Sequence, residues 1–255
     1  MKPKIRILLV ALVACTLLIV AAVAWATETL TVHASFNPDR LGAPTNVSVT
    51  GKFASTTGGL PSPITHITAY LPAGVEIDAR GAGTCIAAKL EQLGPSGCPA
   101  DSRVGFGGGE GLIELAKETI REPYTLDFFF GPRENGHLAV LAYVKASSPA
   151  AFELVLVAKE FHAPKPYGLG FAIAVPPIAT LPEASNASVE SAFLTFGSTN
   201  VAYYKTVHGK KKLLHVRGVV VPKTCPPDGF AIRATVDFED GTTLTVDPTV
   251  PCPHH

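Results

Sequence analysis

The densest run of glycine in the chain lies in the sequence CPADSRVGFGGGEG, which extends from Cys98 to Gly111. A glycine-rich loop that leads into a helix can hold a phosphate group with its backbone N–H groups. The dinucleotide fingerprint G-x-G-x-x-G fails here because Glu110 stands where the third glycine is needed, and no Gly-Lys-Ser/Thr follows. We therefore interpret the stretch as flexible or bulged strand backbone and expect no cofactor.

Paired carboxylates, the groups that a glycosidase uses, recur twice within a few residues. Glu76 is followed by Asp78, and Glu110 by Glu114. A glycosidase needs its two carboxyl groups about 5 to 10 Å apart, a separation that sequence spacing does not define. Carboxylates on strands and turns usually belong to the solvated surface. Since the chain also has neither G-x-S-x-G nor H-E-x-x-H, we assign no catalytic residue.

Histidines and cysteines are the residues that bind zinc, but their spacing does not favour a zinc site. His33, His66, His162 and His215 stand alone in strand-like segments, and the two histidines at the C-terminus are too few to enclose a metal ion. No two cysteines have the C-x₂₋₄-C spacing of a structural zinc site. We expect no metal ion.

Cys85, Cys98, Cys225 and Cys252 form an even set, as is typical of a disulfide framework in an exported protein. Four cysteines allow three pairings, of which local pairing is the simplest. A Cys85–Cys98 bond closes a short loop, and a Cys225–Cys252 bond joins the two open ends of the last hairpin that the sequence predicts. Each closure stabilises a fold by about 2 to 4 kcal/mol.

The N-terminus has the pattern of a secretory signal peptide. A basic head at residues 2–6 precedes an uncharged, almost entirely apolar run from Ile7 to Ala26. The sequence Ala-Trp-Ala at 24–26 fits the small-x-small site of signal peptidase, so we expect the mature chain to start at Thr27.

Two other interpretations of the N-terminus stay open. An apolar run of about 20 residues is long enough to span a bilayer, which predicts an uncleaved anchor. Cys15 also ends a lipobox-like sequence, although the residues after it are apolar or small, where a lipoprotein continues into a polar tether. All three interpretations place residues 27–255 outside the cytoplasmic membrane, secreted or at the cell surface. Membrane contact is then expected only through residues 7–26, if these are retained.

The net charge and the aromatic content of the chain limit the kinds of molecule that it is expected to bind. Of the 21 Lys and Arg residues three lie in the leader, which leaves 18 against 21 Asp and Glu, a net charge of about −3. Nucleic-acid-binding domains are usually strongly basic, so we exclude a nucleic-acid partner. The one tryptophan, Trp25, lies in the leader. Its place there disfavours a flat aromatic platform for sugars, although Tyr and Phe can replace Trp in that role.

Lys210, Lys211 and Lys212 form the densest cluster of charge in the chain. The strand-like segments on either side place them in a turn that begins at His208. They either contact an anionic wall polymer or lipid headgroups, or form a solvated hairpin tip that keeps strands from pairing edge to edge. The solvated tip is the simpler interpretation.

Alternation of apolar and polar residues recurs along most of the chain and predicts short β-strands. Residues 29–36 are one example, and Asp240-Gly241 between two alternating segments is a strong hairpin signal. We predict an all-β protein, an antiparallel β-sandwich over residues 27–255 with one short helix. Residues 176–187 are the best candidate for a boundary between two lobes.

Two stretches have helical character. Residues 84–94 begin with Thr, contain good helix formers and end with Gly, which predicts the short helix. Residues 110–121 fit one face of a helix about as well as they fit two strands that turn at 116–118. We favour the strands because the segments around them are β.

The spacing around the cysteines is also similar to that of a known group of proteins. Cys85, then the sequence Cys98–Gly105 and a glycine-rich strand, and later Lys223–Pro227 and the terminal Pro251–Pro253, resemble uncharacterised exported β-rich proteins of high-GC Gram-positive bacteria. The resemblance covers most of residues 27–255 and rests on structural motifs. It implies a secreted β-sandwich with paired cysteines and no known activity.

Together these features favour a non-catalytic protein of the cell envelope or culture fluid, with a binding or structural role. Its expected partner is a cell-wall polymer or another envelope protein. An extracellular hydrolase that acts on glycans or esters is one alternative. A membrane-anchored ectodomain that assembles with another envelope protein is the other.

Overall fold

The computed structural model describes residues 28–179, 182, 184–197, 202–215 and 217–253. The expected leader at 1–26, with Cys15 and Trp25, and the terminal His254 and His255 lie outside the described residues. The described part consists of antiparallel strands with one short helix, which confirms the predicted all-β class. Its helix α1 is Ala87–Leu93, and its strands are Glu28–Asn37 (β1), Pro44–Ser55 (β2), Ile64–Pro72 (β3), Glu76–Asp78 (β4), Arg103–Leu115 (β5), Glu118–Glu134 (β6), His137–Ala146 (β7), Phe152–His162 (β8), Tyr167–Ala174 (β9), Ser188–Gly197 (β10), Ala202–Val207 (β11), Lys210–His215 (β12), Gly218–Val220 (β13), Phe230–Ala231 (β14), Arg233–Phe238 (β15), Thr243–Val246 (β16) and Thr249–Val250 (β17).

A 13-stranded sheet carries most of the fold. Its order is β16-β15-β3-β9-β8-β7-β6-β5-β10-β2-β13-β4, with β1 also paired to β2. Strand β10, which follows the segment 176–187, pairs with both β5 and β2. The pairs β11-β12 and β14-β17 form separate two-stranded sheets.

The large sheet folds over on itself and encloses its own core, in a sandwich-like arrangement. Phe53 of β2 packs edge to face against Phe238 of β15, although the two strands lie far apart in the order, and their ring centroids are 6.4 Å apart. Phe171 of β9 and Phe196 of β10 likewise join one apolar cluster. Strand β1 also lies next to β16, the far end of the strand order. Two layers of one sheet therefore bury their apolar faces against each other.

Strand β7 is buried on both faces, which explains why its sequence is apolar throughout. Leu138 and Val140 belong to the central cluster. Leu141 and Tyr143 point to the opposite, outer face, where Leu90 of helix α1 covers them. Leu90 is completely buried, and the burial of such a side chain stabilises a fold by about 2 kcal/mol.

Residues 110–121 form two strands, as the sequence analysis favoured. Strand β5 ends at Leu115 and β6 begins at Glu118, so that Ala116 and Lys117 form a two-residue turn. Both residues have positive φ, 50° and 70°, which is the twist that a tight hairpin between right-twisted strands requires.

The predicted helix is confirmed but is shorter than the stretch 84–94. Helix α1 begins at Ala87 because Cys85 is bound to the sheet, where its N–H donates to the carbonyl oxygen of Phe130 at 2.8 Å. Ile86 has extended backbone, with φ −104° and ψ 128°, and acts as the N-cap.

Both local disulfides form, Cys85–Cys98 with Cα atoms 5.0 Å apart and Cys225–Cys252 with Cα atoms 5.8 Å apart. This confirms the simplest of the three pairings. The first bond closes the loop that contains α1. The second joins the two ends of the segment that contains β14 to β17, and Cys225 packs beside the apolar cluster of Phe230.

The turn predicted from His208 through the three lysines was too long. Only His208 and Gly209 form it, with φ 50° and 75°, and the lysines lie in strand β12. A two-residue turn of this kind matches the twist of the strands, so pairing starts at once with Val207 opposite Lys210. The lysines are therefore side chains of a regular hairpin.

Candidate ligand-binding site

An open groove of about 640 Å³ lies between the Cys85–Cys98 loop and strands β5 and β6. Its lining residues come from the loop at 95–100, from β5 and β6, among them Arg103, Phe106 and Asp127, and from Ala202 at the start of β11. Small-molecule sites in proteins have volumes of about 300 to 1,000 Å³, and the groove falls in that range.

Helix α1 and the disulfide hold the loop side of the groove in place. Leu90 packs against Phe129, Leu141 and Tyr143 on the outer face of β6 and β7. The Cys85–Cys98 bond then returns the chain to the sheet just before β5. The loop is thus rigidly connected to the strands that line the rest of the groove, so little conformational entropy is lost when a ligand binds.

An ion pair between the Arg103 guanidinium and the Asp127 carboxylate supplies the charged groups of the groove. The Arg103 side chain is 47% exposed and that of Asp127 is 24% exposed. A guanidinium has five N–H donors and a carboxylate about four lone-pair sites, so one ion pair leaves most of these groups for a ligand. Hydroxyl groups, which both donate and accept, match this mixture.

Tyr143 lies opposite Asp127 in the β6-β7 ladder. Burial, followed by a hydrogen bond to Glu153, raises the pKa of the Tyr143 phenol to about 12. The phenol therefore stays protonated at neutral pH and donates a hydrogen bond to Glu153.

Two phenyl rings lie exposed on the same outer face, and we call them the phenyl platform. Phe106 of β5 is 38% exposed and Phe193 of β10 is 48% exposed. Phe193 pairs with Gly108, and a Cβ placed on Gly108 would be 3.3 Å from the Phe193 ring. The ring therefore fills the space above Gly108, and about half of the side chain remains exposed to solvent.

Hydroxyl side chains flank both rings of the phenyl platform. Thr195 lies directly opposite Phe106, and Thr50 lies directly opposite Phe193. The Ser48 and Thr195 hydroxyl oxygens are 3.5 Å apart. The outer face of β2, β10 and β5 therefore combines apolar ring faces with groups that donate and accept hydrogen bonds.

The glycine-rich stretch lies in the middle of the sheet and is not a phosphate loop. Strand β5 pairs with β6 on one side and with β10 on the other, so its N–H groups are used in the two ladders. Gly105, Gly107 and Gly109 face large side chains of β6, and a Cβ at each would come closer than 3.0 Å to a carbonyl oxygen of β10. None of these three has positive φ. Close approach of β10 is therefore the reason for glycine here.

At Gly109 the neighbouring strand is bulged. The β5-β10 register shifts between Val189 and Ser191, and the Tyr124 hydroxyl donates to the Ser191 carbonyl oxygen at 3.0 Å. Tyr124 is the cross-strand partner of Gly109, and its hydroxyl oxygen lies only 2.7 Å from the position that a Cβ on Gly109 would occupy. An aromatic residue opposite glycine is a known device for stabilising such a position.

The carboxylate pairs singled out in the sequence are not arranged as catalytic pairs. Asp78 is buried and bound by Arg80, whereas Glu76 is exposed. Glu110 and Glu114 are four residues apart on strand β5, or about 13 Å along a strand.

A closer pair of carboxylates does exist, on the exposed surface. Glu110 and Glu190 both form ion pairs with Arg121. Since the guanidinium lies between them and neutralises both, this cluster has the character of a surface ion network.

The histidines stay apart from one another. His33, His66, His162 and His215 lie on β1, β3, β8 and β12. Within the described ranges, no three His, Cys, Asp or Glu side chains are grouped as a metal site requires.

The residues of the groove and the phenyl platform were missed in the sequence, although one signal was present. In the segment 188–197 the apolar positions alternate as Ala192, Leu194 and Phe196, and Phe193 stands out of phase with them. A large apolar residue at a solvent-facing position of a strand indicates an exposed contact surface. The pairing of Arg103 with Asp127 left no comparable signal because it depends on the β5-β6 register.

Comparison with known proteins adds no family to these observations. Nothing among protein-family models, curated proteins or solved structures matches the chain. No helix among the residues that the structure describes is long and apolar enough to cross a membrane.

Proposed function

We propose that the protein is an exported, non-catalytic binding protein of the cell envelope or culture fluid, and that its ligand is a hydroxyl-rich polymer such as a cell-wall glycan. The single observation that carries the proposal is the phenyl platform, with hydroxyl side chains beside each ring. The groove with the Arg103–Asp127 pair adjoins it through Phe106.

The chemistry of the platform suits a sugar chain. Apolar C–H faces of a sugar ring gain by covering phenyl rings that are otherwise in water, at about 25 cal/mol per Å² of apolar surface removed. The hydroxyl groups of the sugar then find donors and acceptors in the threonines and in the Arg103–Asp127 pair. Because that pair is neutral as a whole, the site needs no charged ligand.

The two disulfides are compatible with a location outside the cytoplasm, since such bonds persist in oxidising compartments. The expected leader at 1–26 supports the same location. A protein that meets cell-wall polymers has to be exported, so the proposed ligand and the proposed location are consistent.

The test is binding of the full chain to purified cell wall of the producing organism and to soluble neutral polysaccharides, measured by co-sedimentation and calorimetry. A double variant, Phe106→Ala with Phe193→Ala, is expected to lower affinity at least about tenfold, because buried aromatic anchors dominate such interfaces. Ile86→Ala is the matched control, since Ile86 is 53% exposed and does not line the groove.

Two results would contradict the proposal. Equal binding by wild type and the double variant would show that the phenyl platform is not the contact surface. Release of reducing sugar from the cell wall by the wild-type protein would show that the protein is a hydrolase.

A further inference from the structure

The β11-β12 hairpin stands apart from the 13-stranded sheet as a two-stranded sheet of its own. Tyr203 and Leu214 are direct cross-strand partners and pack against the central apolar cluster. The Tyr203 hydroxyl also donates a hydrogen bond to the carbonyl oxygen of Gly81, 3.1 Å away. The hairpin is therefore fixed to the sandwich through one of its two faces.

The opposite face of the hairpin is apolar and exposed. Tyr204 and Leu213 are the next cross-strand pair, so they point away from the core. Tyr204 is 64% exposed and Leu213 is 51% exposed. The Lys211 Nζ atom lies 4.7 Å from the centroid of the Tyr204 ring. Lys211 therefore lies on the same outward face as Tyr204 and Leu213. Lys205, Lys210 and Lys212 alternate onto the other face and are exposed, so that their long side chains surround the apolar pair from the turn end of the hairpin.

The hairpin also concentrates positive charge. Residues 202–215 contain Lys205, Lys210, Lys211 and Lys212 and no acidic residue. Outside the hairpin, residues 28–253 carry 14 Lys and Arg against 21 Asp and Glu, a net charge of −7. Within the part of the chain that the structure describes, no ion pair joins any of the four lysines to a carboxylate. The hairpin is a cationic projection on an otherwise anionic body.

We propose that the β11-β12 hairpin docks on an anionic phospholipid surface. The lysines contact the headgroup phosphates, and Tyr204 and Leu213 enter the boundary between headgroups and acyl chains. Charge complementarity selects this partner, because the anionic body is repelled by the same surface that attracts the hairpin. The protein is therefore oriented with the hairpin toward the lipid.

The exposed Tyr204–Leu213 pair distinguishes a lipid surface from a soluble anionic polymer. A polyanion in water offers the lysines the same charges, but it offers no apolar phase for the two side chains. Aromatic and aliphatic side chains beside lysines are the combination that interfacial membrane-binding segments use. This proposal does not depend on the ligand of the groove.

The test compares full-length protein on vesicles of phosphatidylcholine with and without phosphatidylglycerol, by co-sedimentation. Any binding through residues 7–26 is common to all variants. Replacing Lys210, Lys211 and Lys212 by Gln is expected to lower binding to the anionic vesicles by about 100-fold, since each cation near such a surface contributes about fivefold. Tyr204→Ser with Leu213→Ser is expected to lower it by about tenfold.

A matched control removes the same charge elsewhere. Lys52, Lys89 and Lys117 are exposed lysines outside the hairpin, and their triple Gln variant is expected to bind like wild type. Lysine acetylation read by mass spectrometry gives a second, local measurement. Anionic vesicles are expected to protect Lys210 to Lys212 and to leave Lys52 and Lys89 reactive.

Each opposing result overturns the proposal. Equal binding of wild type and the lysine variant to the anionic vesicles, or unprotected hairpin lysines, excludes docking by the hairpin. Loss of binding in the lysine variant with full binding in the Tyr204 and Leu213 variant shows a purely ionic contact, as with a soluble polyanion. Circular dichroism confirms that each variant is folded, which is expected because the altered side chains are exposed.

Discussion

Gly109 in strand β5 and Gly209 in the β11-β12 hairpin are the same residue in opposite surroundings. Gly109 has ordinary strand backbone, but a Cβ there would collide with the Ser191 carbonyl group and lie 2.7 Å from the Tyr124 hydroxyl oxygen. Gly209 has φ 75° and nothing within 4 Å of its Cβ position. The first glycine is needed because another strand comes too close, and the second because the turn needs left-handed backbone.

Strand β5 and the β11-β12 hairpin, which contain these two glycines, also differ in how they are held in the fold. Strand β5 lies between two other strands of the large sheet, whereas the hairpin is held through one face and leaves the other in solvent. A defect in β5 should therefore weaken the whole fold, while a defect in the hairpin should remain local. Three substitutions test this contrast, in order of expected effect.

Gly109→Ala is expected to destabilise the protein by about 3 kcal/mol or more, because backbone of β10 has to move. Chemical denaturation measures the loss in the free energy of unfolding. Gly111→Ala is the control on the same strand, where the added Cβ would be 3.3 Å from the nearest atom and the expected loss is smaller. Equal losses in the two variants would contradict the close-approach explanation.

Asp78→Asn tests how much the ion pairs next to the end of strand β12 stabilise the fold. Asp78 is buried and forms ion pairs with Arg80 and with Arg217, which follows β12. The hydrogen bond from Arg80 is the main cause that lowers the pKa of Asp78 from 3.8 to about 2. The ionised Asp78 carboxylate therefore contributes its full stabilisation of the fold above about pH 4. This contribution is lost as pH falls through about 2, since Asp78 in the unfolded chain takes up a proton at higher pH than in the folded protein.

We expect this contribution to be about 1 to 2 kcal/mol, because the Arg80 side chain is 81% exposed and solvent screens the pair. Wild type and Asp78→Asn should differ by this amount at pH 7 and converge between about pH 4 and 2. Denaturation curves at several pH values measure the difference. A difference that stays constant down to pH 2 would refute the ion-pair origin.

Gly209→Ala is expected to cost about 1 kcal/mol, because alanine in left-handed backbone is strained but meets no other atom. Hydrogen exchange should increase at residues 202–215 and remain unchanged in β5 and β7. If exchange increased equally across the sheet, the hairpin would be part of the main cooperative unit and the contrast between the two regions would fail.

Local patterns in the sequence were enough to predict the elements of this fold. Alternation and turn residues gave the strands and the Asp240-Gly241 hairpin, and the spacing of the four cysteines indicated the local disulfides. Helix α1 started later than predicted because a contact between Cys85 and Phe130 replaces its first turn. The turn at His208 was predicted too long because charge alone cannot separate a lysine in a strand from one in a loop.

Local sequence patterns could not predict the residues of the groove and the phenyl platform. The outward position of Phe193 was visible as a break in alternation, but its seat over Gly108 depends on how β10 pairs with β5. The same holds for the Arg103–Asp127 ion pair, which depends on the β5-β6 register, and for the exposure of Tyr204, which depends on how the hairpin packs. Register and layer packing join residues far apart in sequence, and no local pattern encodes which strands become neighbours.

The sequence by itself determined the all-β class and the short helix, and it favoured the local cysteine pairs among three possible pairings, because alternation, turn chemistry and spacing act over a few residues. Only the tertiary structure decided that the sheet folds over on itself, that β10 crosses the glycines of β5, and that the β11-β12 hairpin keeps one face in solvent. These outcomes follow from long-range packing, in which the burial of one strand depends on the position of every other.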